Sequence, residues 1–247
     1  MNKILFPKIT LWLLLLLPFT IWGFFPSYFG KLFAKHPSIF HIHAFFMILW
    51  IAMALTQPIL IKRKKTKLHR RIGKISYFIM PFVFISAYFM IRHTYYRQLE
   101  RVTTVSEEKA IATAAEAQAN AGVVVTIGLV YLFLLMCFYS LAIINRKKVL
   151  PHATFMFAAI LTLLGPTVDR ILFQVYDYFS IEFNLFAELF VFVLIDLLLI
   201  SLAVYQHKKS LSAKPALIAL AIYITGQTAY FLLPTVKAWP VFVDYIM

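Results

Sequence analysis

The side chains able to bind a cofactor, carry a proton or fix a charge are few, and their spacing says where each would act. His43, Met47, Trp50, Ala54 and Gln57 recur at alternating intervals of four and three, which puts them on one face of a helix. An imidazole near one end of that face and a carboxamide at the other would allow contact with a cofactor lying along the helix. His41, two residues from His43, points the opposite way and is expected at the membrane interface. A second set, at one depth by helical rise, comprises His93, Asp169, Arg170 and Glu188, with Arg92, Gln174, Gln227 and Tyr230 nearby. Read structurally, these residues form neutralised ion pairs that fix helix packing. Read functionally, Asp169, Glu188, His43 and His93 line an outward-facing polar pocket for a metal ion, a proton or a small polar solute. Zinc or iron would suit such ligands, although no local motif of the H-E-x-x-H kind is present.

His69 and His152 point to different chemistry. Each opens a helix, and the two helices run in the same direction, so the imidazoles share a depth if the helices are neighbours. Histidine is a common axial ligand of haem, and helix bundles hold such cofactors between facing helices. Arg70, Arg71 and Arg146 stand close enough in sequence to pair with propionates. A further pair drawn from His43 and His93 would place a second haem nearer the other surface. The plainer reading is that His69 and His152, each beside a basic run, meet lipid headgroups.

The elements that must carry these residues follow from composition. Of 247 residues 62% are hydrophobic and only 14% charged, whereas a soluble domain has about 25% charged residues. With a mean hydropathy of +0.82, a water-soluble globule is excluded. The net charge of +14 does not indicate a nucleic-acid partner, because the basic residues lie in short runs between apolar stretches. Cys137 falls inside one such stretch, so there is neither a disulfide framework nor a cysteine metal motif.

The expected fold is all-α: a single membrane domain, residues 1–247, with seven transmembrane helices at about 8–28, 39–61, 72–95, 121–144, 152–174, 184–205 and 216–234. The first is kept as a mature helix, because no small-x-small cleavage site follows the run Leu11–Leu17. Asp196 is left near mid-bilayer. The connection 97–120 is expected as an external helical loop, capped at Thr104 with Glu107 three residues on, whose alanine-rich end leads into the fourth span.

Orientation follows from Lys and Arg. The runs Lys62–Lys74, Arg146–Lys148 and Lys208–Lys214, with Lys3 and Lys8, fall on one side of such a bundle and include no acidic residue. The acidic residues outside the spans all fall on the other side. The positive-inside rule then places the N-terminus inside and the C-terminus outside, in the cytoplasmic membrane of a cell that has one.

The segment His43-x6-Trp50-x6-Gln57, followed by Leu68-His69-Arg70-Arg71-Ile72-Gly73-Lys74, resembles the signature of a family of uncharacterised bacterial multi-span membrane proteins. Pro151-His152-x3-Met156 and Asp169-Arg170 look like a second part of that pattern. The resemblance covers about half the chain, implies no established activity, and marks His43, Gln57, His69, Arg70, Gly73, His152 and Arg170 as positions to test. A looser similarity is to transmembrane cytochromes b, which hold haem through histidines of alternate helices. This chain departs from them in having no histidine on its fourth span. Seven-span zinc hydrolases share the topology but carry an H-x3-H pair on the last span, where this chain has Tyr223, Gln227 and Tyr230. The expected activity is therefore haem binding or membrane redox chemistry, with a proton-coupled or small-solute transporter and a non-catalytic membrane subunit as alternatives.

Overall fold

Apolar stretches of this length fold as helices because a helix satisfies its backbone hydrogen bonds within one segment, without water. The computed structural model describes Leu5 and residues 9–109, 114–179 and 185–247. Among them nine α-helices follow one another: α1 (Ile9–Phe24), α2 (Ser38–Lys62), α3 (Thr66–Lys109), α4 (Ala114–Ile144), α5 (Val149–Leu161), α6 (Leu164–Tyr178), α7 (Leu185–Lys208), α8 (Lys214–Leu232) and α9 (Ala238–Ile246). No strand occurs among the described residues. Among the described residues six segments are long and apolar enough to cross a membrane: Ser38–Lys62, Thr66–Arg101, Glu116–Ile144, Val149–Tyr178, Glu188–Lys208 and Lys214–Thr235. The chain is a multi-pass membrane helix bundle. α1, at 16 residues, spans only about 24 Å at the helical rise and is shorter than the expected 8–28.

Helix α4 stands at the centre, packed against α3, α5, α8 and α9, while α1 packs on α6 and α2, and α6 on α7. Phe138 and Leu134 of α4, Ile195 and Leu199 of α7 and Tyr223 of α8 are fully buried. Large apolar side chains such as Phe78, Phe133 and Phe190 face outward, as lipid-facing helices require. Between helices in lipid, polar side chains supply directional ties worth on average about 0.6 kcal/mol each. Tyr223 donates to the Ala158 carbonyl at 2.9 Å, Gln206 to Thr154 Oγ1 at 3.0 Å, and Gln174 to the Gly23 carbonyl at 3.1 Å. Asp196 is half-buried and accepts from Gln227 Nε2 at 3.0 Å.

The structure corrects several boundaries. α3 runs unbroken for 44 residues, about 66 Å, so Thr104 lies inside it and does not cap a separate external helix. A helix leaving the bilayer no longer needs apolar residues, and the mixed-charge stretch after Tyr95 contains no proline to end it. From Ala114 on, the alanine-rich run belongs to α4, and its first part, 110–113, lies outside the described residues. The fifth span is split at Thr162–Leu163 into α5 and α6. Pro166 has no N–H to offer the carbonyl four residues earlier, and the helix gives way there.

Beyond the expected last span the chain forms α9, which docks on the middle of α3 and the first half of α4. Tyr95 donates to Asp244 Oδ1 at 2.8 Å and Trp239 Nε1 to Thr126 Oγ1 at 2.9 Å. Tyr88 and Arg92 donate to the carbonyls of Ile246 and Met247.

Candidate functional site

At the end of the bundle away from the loop between α2 and α3, helices α1, α2, α3 and α6 enclose a cavity of about 410 Å³. One wall is set by helical spacing on α3: Met90, His93, Thr94, Arg97, Gln98 and Arg101 recur at threes and fours and so share a face. α2 contributes His43, Met47, Ile48 and Ile51. Phe24 of α1, Arg170 of α6, and Leu163 at the break between α5 and α6 complete the enclosure. Among the described residues the lining includes no Asp or Glu. The cavity is therefore cationic along Arg97, Arg101 and Arg170 and apolar along Met47, Ile48, Ile51, Phe24 and Leu163.

His43 is held in a defined way. Ser86 Oγ lies 3.1 Å from His43 Nδ1 and 3.2 Å from the Val83 carbonyl, so a hydrogen bond to α3 anchors the imidazole. This orients a ring that lines the cavity. His41 faces away, exposed, with Tyr28 Oη 3.1 Å from its Nδ1. His93 sits edge-on to Phe40, ring centroids 5.3 Å apart.

Arg170 makes no ion pair with Asp169. Residues adjacent in a helix leave the axis about 100° apart, and the Arg170 guanidinium instead donates to the Pro166 carbonyl at 2.7 Å and lies 4.3 Å from the Phe24 ring centroid. The expected outer set thus divides in two. His43, His93 and Arg170 line the cavity, whereas Asp169 and Glu188 are buried elsewhere, away from it. Asp169 Oδ1 and Glu188 Oε2 have no hydrogen-bond partner, and neither do the buried hydroxyls of Tyr131 and Thr167. Among the described residues no group of three or more His, Cys, Asp or Glu side chains is placed to hold a metal ion.

At the opposite end, His152 Nδ1 donates to the Ala142 carbonyl at 2.8 Å, which fixes its tautomer and leaves Nε2 free. His69, inside the first turns of α3, has a buried Nδ1 without a partner, and both amide atoms of Gln57 are likewise buried and unpaired. α4 packs against both α3 and α5, and His69 and His152 lie within electrostatic range of each other. Arg70 is exposed.

Two features escaped the sequence reading. The 93-97-101 repeat of His93, Arg97 and Arg101 is visible as helical spacing, but the charges of Arg97 and Arg101 read as an external loop. Tyr131, one aromatic in an apolar span, carries no signal of its own. Comparison of the chain with family models, curated proteins and solved structures finds no match.

Proposed function

We propose that the protein binds an anionic amphiphile, a molecule with a carboxylate or phosphate head and an apolar tail, in the cavity between α1, α2, α3 and α6. The observation that carries this reading is the cavity's division: Arg97, Arg101 and Arg170 along one part, with no Asp or Glu among the described lining residues, and apolar side chains along the rest. Arginine pairs with carboxylate and phosphate through two parallel hydrogen bonds, and about 410 Å³ lies within the usual range of small-molecule sites, roughly 300–1,000 Å³. We read α1 as a seventh crossing and the basic loops after α2, α4 and α7 as cytoplasmic, in keeping with the positive-inside bias. On that orientation the cavity opens on the outer half of the cytoplasmic membrane, where it would receive a solute for transport or sensing.

The test is binding of a fluorescent long-chain fatty acid to the purified protein in uncharged detergent, compared with the corresponding alcohol. The acid is expected to bind at least about tenfold more tightly, equivalent to 1.4 kcal/mol, and to lose that advantage in the combined Arg97→Gln, Arg101→Gln, Arg170→Gln variant. Equal binding of acid and alcohol overturns the reading.

A second reading, haem binding, is favoured by the inner histidines: a free, oriented Nε2 on His152 and a buried, unpartnered Nδ1 on His69. These two residues would hold the iron, with Arg70 near the surface for a propionate. Bound haem would supply one-electron transfer. Absorbance of protein expressed with ample haem tests it. A Soret band lost in His69→Ala with His152→Ala supports the inner pair. A band lost only in His43→Ala makes haem the amphiphile of the outer cavity, and no band removes haem from both sites.

A further inference from the structure

Among the described residues the buried carboxylates of Asp169 and Glu188 line no cavity and make no ion pair, and the proposed binding site does not use them. They are 9% and 8% exposed and lie within electrostatic range of each other across the packed helices α6 and α7. An aromatic hydroxyl closes the group. Tyr131 of α4 is 6% exposed, its hydroxyl has no partner, and its ring end rests against Gly165. Gly165 is one helical turn before Asp169 on the same face of α6. Tyr230 of α8 lies within electrostatic range of both carboxylates.

The neighbouring elements supply no cation to the pair. α1, which packs on α6, has no titratable residue, and the only one on α5 is His152, fixed at that helix's opening turn. α4 faces the pair with Tyr131 and α8 with Tyr230, while the Tyr223 hydroxyl of α8 is taken up by the Ala158 carbonyl. On α6 itself Arg170 is near enough to bear on Asp169 electrostatically, but its guanidinium makes no ion pair with that carboxylate and is turned to the Pro166 carbonyl and the Phe24 ring. One unpaired cation at that range does not balance two like charges in a low-dielectric interior, so both carboxylates do not stay ionised together. A single proton held between the carboxyl groups removes one of the charges and creates a donor for the other, while the phenol of Tyr131 can donate to whichever oxygen stays ionised.

We infer that Asp169 and Glu188, closed over by Tyr131, form a proton-binding site at the helix break of the fifth span. The proton exchanges between the carboxyl oxygens and leaves as hydronium, with no redox change. Arg170 follows Asp169 on the same helix and lines the amphiphile cavity. Release of the proton would therefore act on the element that presents an arginine to the cavity. The proton site does not depend on that cavity being occupied.

Infrared difference spectroscopy between acid and alkaline buffer tests it on the intact chain in detergent. The expected result is a protonated-carboxyl C=O band at neutral pH that shifts in heavy water. That band should be lost or displaced in Asp169→Asn and in Glu188→Gln, and be unchanged in Asp196→Asn. Tyr131→Phe, which leaves both carboxyl groups in place, should move the band and covers the case in which either carboxamide variant fails to fold. No protonated band in the wild type overturns the inference, as does a band insensitive to Tyr131→Phe, one lost with Asp196, or a wild-type spectrum that responds to sodium instead of pH. Loss of fatty-acid binding with the band intact would fault the amphiphile reading alone.

Discussion

The phenol of Tyr131 occupies the space where a side chain at residue 165 would stand: a Cβ on Gly165 would fall 2.0 Å from Cζ and 2.2 Å from the hydroxyl oxygen. α4 and α6 meet there through an absent side chain, as close helix approaches in membranes usually do. Alanine in place of glycine ordinarily stabilises a helix interior by about 1 kcal/mol. Here the added methyl would have to displace a buried ring, and overpacking of this kind costs about 1–3 kcal/mol. Gly165→Ala is therefore expected to lower the unfolding midpoint in detergent, and Gly165→Ala combined with Tyr131→Leu to recover most of the loss. A single variant as stable as the wild type would mean that the ring moves freely.

Gln57 gives an expectation of opposite sign. Both polar atoms of its side chain are buried and unpaired, and a buried polar group without a partner costs about 1–3 kcal/mol. Gln57→Leu, similar in volume, should raise stability by about that amount, read from unfolding of the purified protein. If the amide contacts a ligand from the inner histidine site, the same variant should be more stable and lose the Soret band together, the usual exchange of function for stability. A fall in stability would show that the amide is partnered.

The sequence made some of this legible, for reasons that lie in helical geometry. The intervals of four and three from His43 to Gln57 separate His43, bonded to Ser86, from the exposed His41. Hydropathy located the spans because lipid leaves no alternative to a closed backbone. It could not show where α3 ends, since outside the bilayer a charged helix and a charged loop have similar composition. Nor could it choose a partner for Arg170. Asp169 is next to it in sequence yet about a quarter turn away around the helix, and the actual partners are its own backbone one turn back and an aromatic ring on α1. Tyr131 became visible only when α4 and α6 were brought together.

The docking of α9 should be cooperative with a single buried phenol. Tyr95 is fully buried, and its hydroxyl donates to Asp244 Oδ1 at 2.8 Å. Asp244→Ala leaves that hydroxyl without its acceptor at a cost of about 1–3 kcal/mol. Amide hydrogen exchange across 238–246 should then speed up by about tenfold for each 1.4 kcal/mol lost, while exchange in the centre of α4 stays the same. Uniform acceleration along the whole chain would instead mean that α9 is part of the global folding unit.

Ser76 and Tyr139 allow the value of an interhelical bond in this bundle to be measured directly. Ser76 Oγ lies 2.6 Å from the Gly73 carbonyl, to which it donates, so it is Tyr139 that donates to Ser76 across 2.8 Å. The two single variants are then unequal. Tyr139→Phe removes a donor and leaves the serine hydrogen-bonded within α3, whereas Ser76→Ala strands a buried phenol. Ser76→Ala should be the more destabilising, and the double variant Ser76→Ala with Tyr139→Phe should be no worse than Ser76→Ala alone. The coupling from the four-way cycle is expected near the membrane average of about 0.6 kcal/mol and below about 1.7 kcal/mol. A coupling of zero would show that the phenol finds another acceptor as soon as the serine is removed, and that α3 and α4 are held at this level by packing alone.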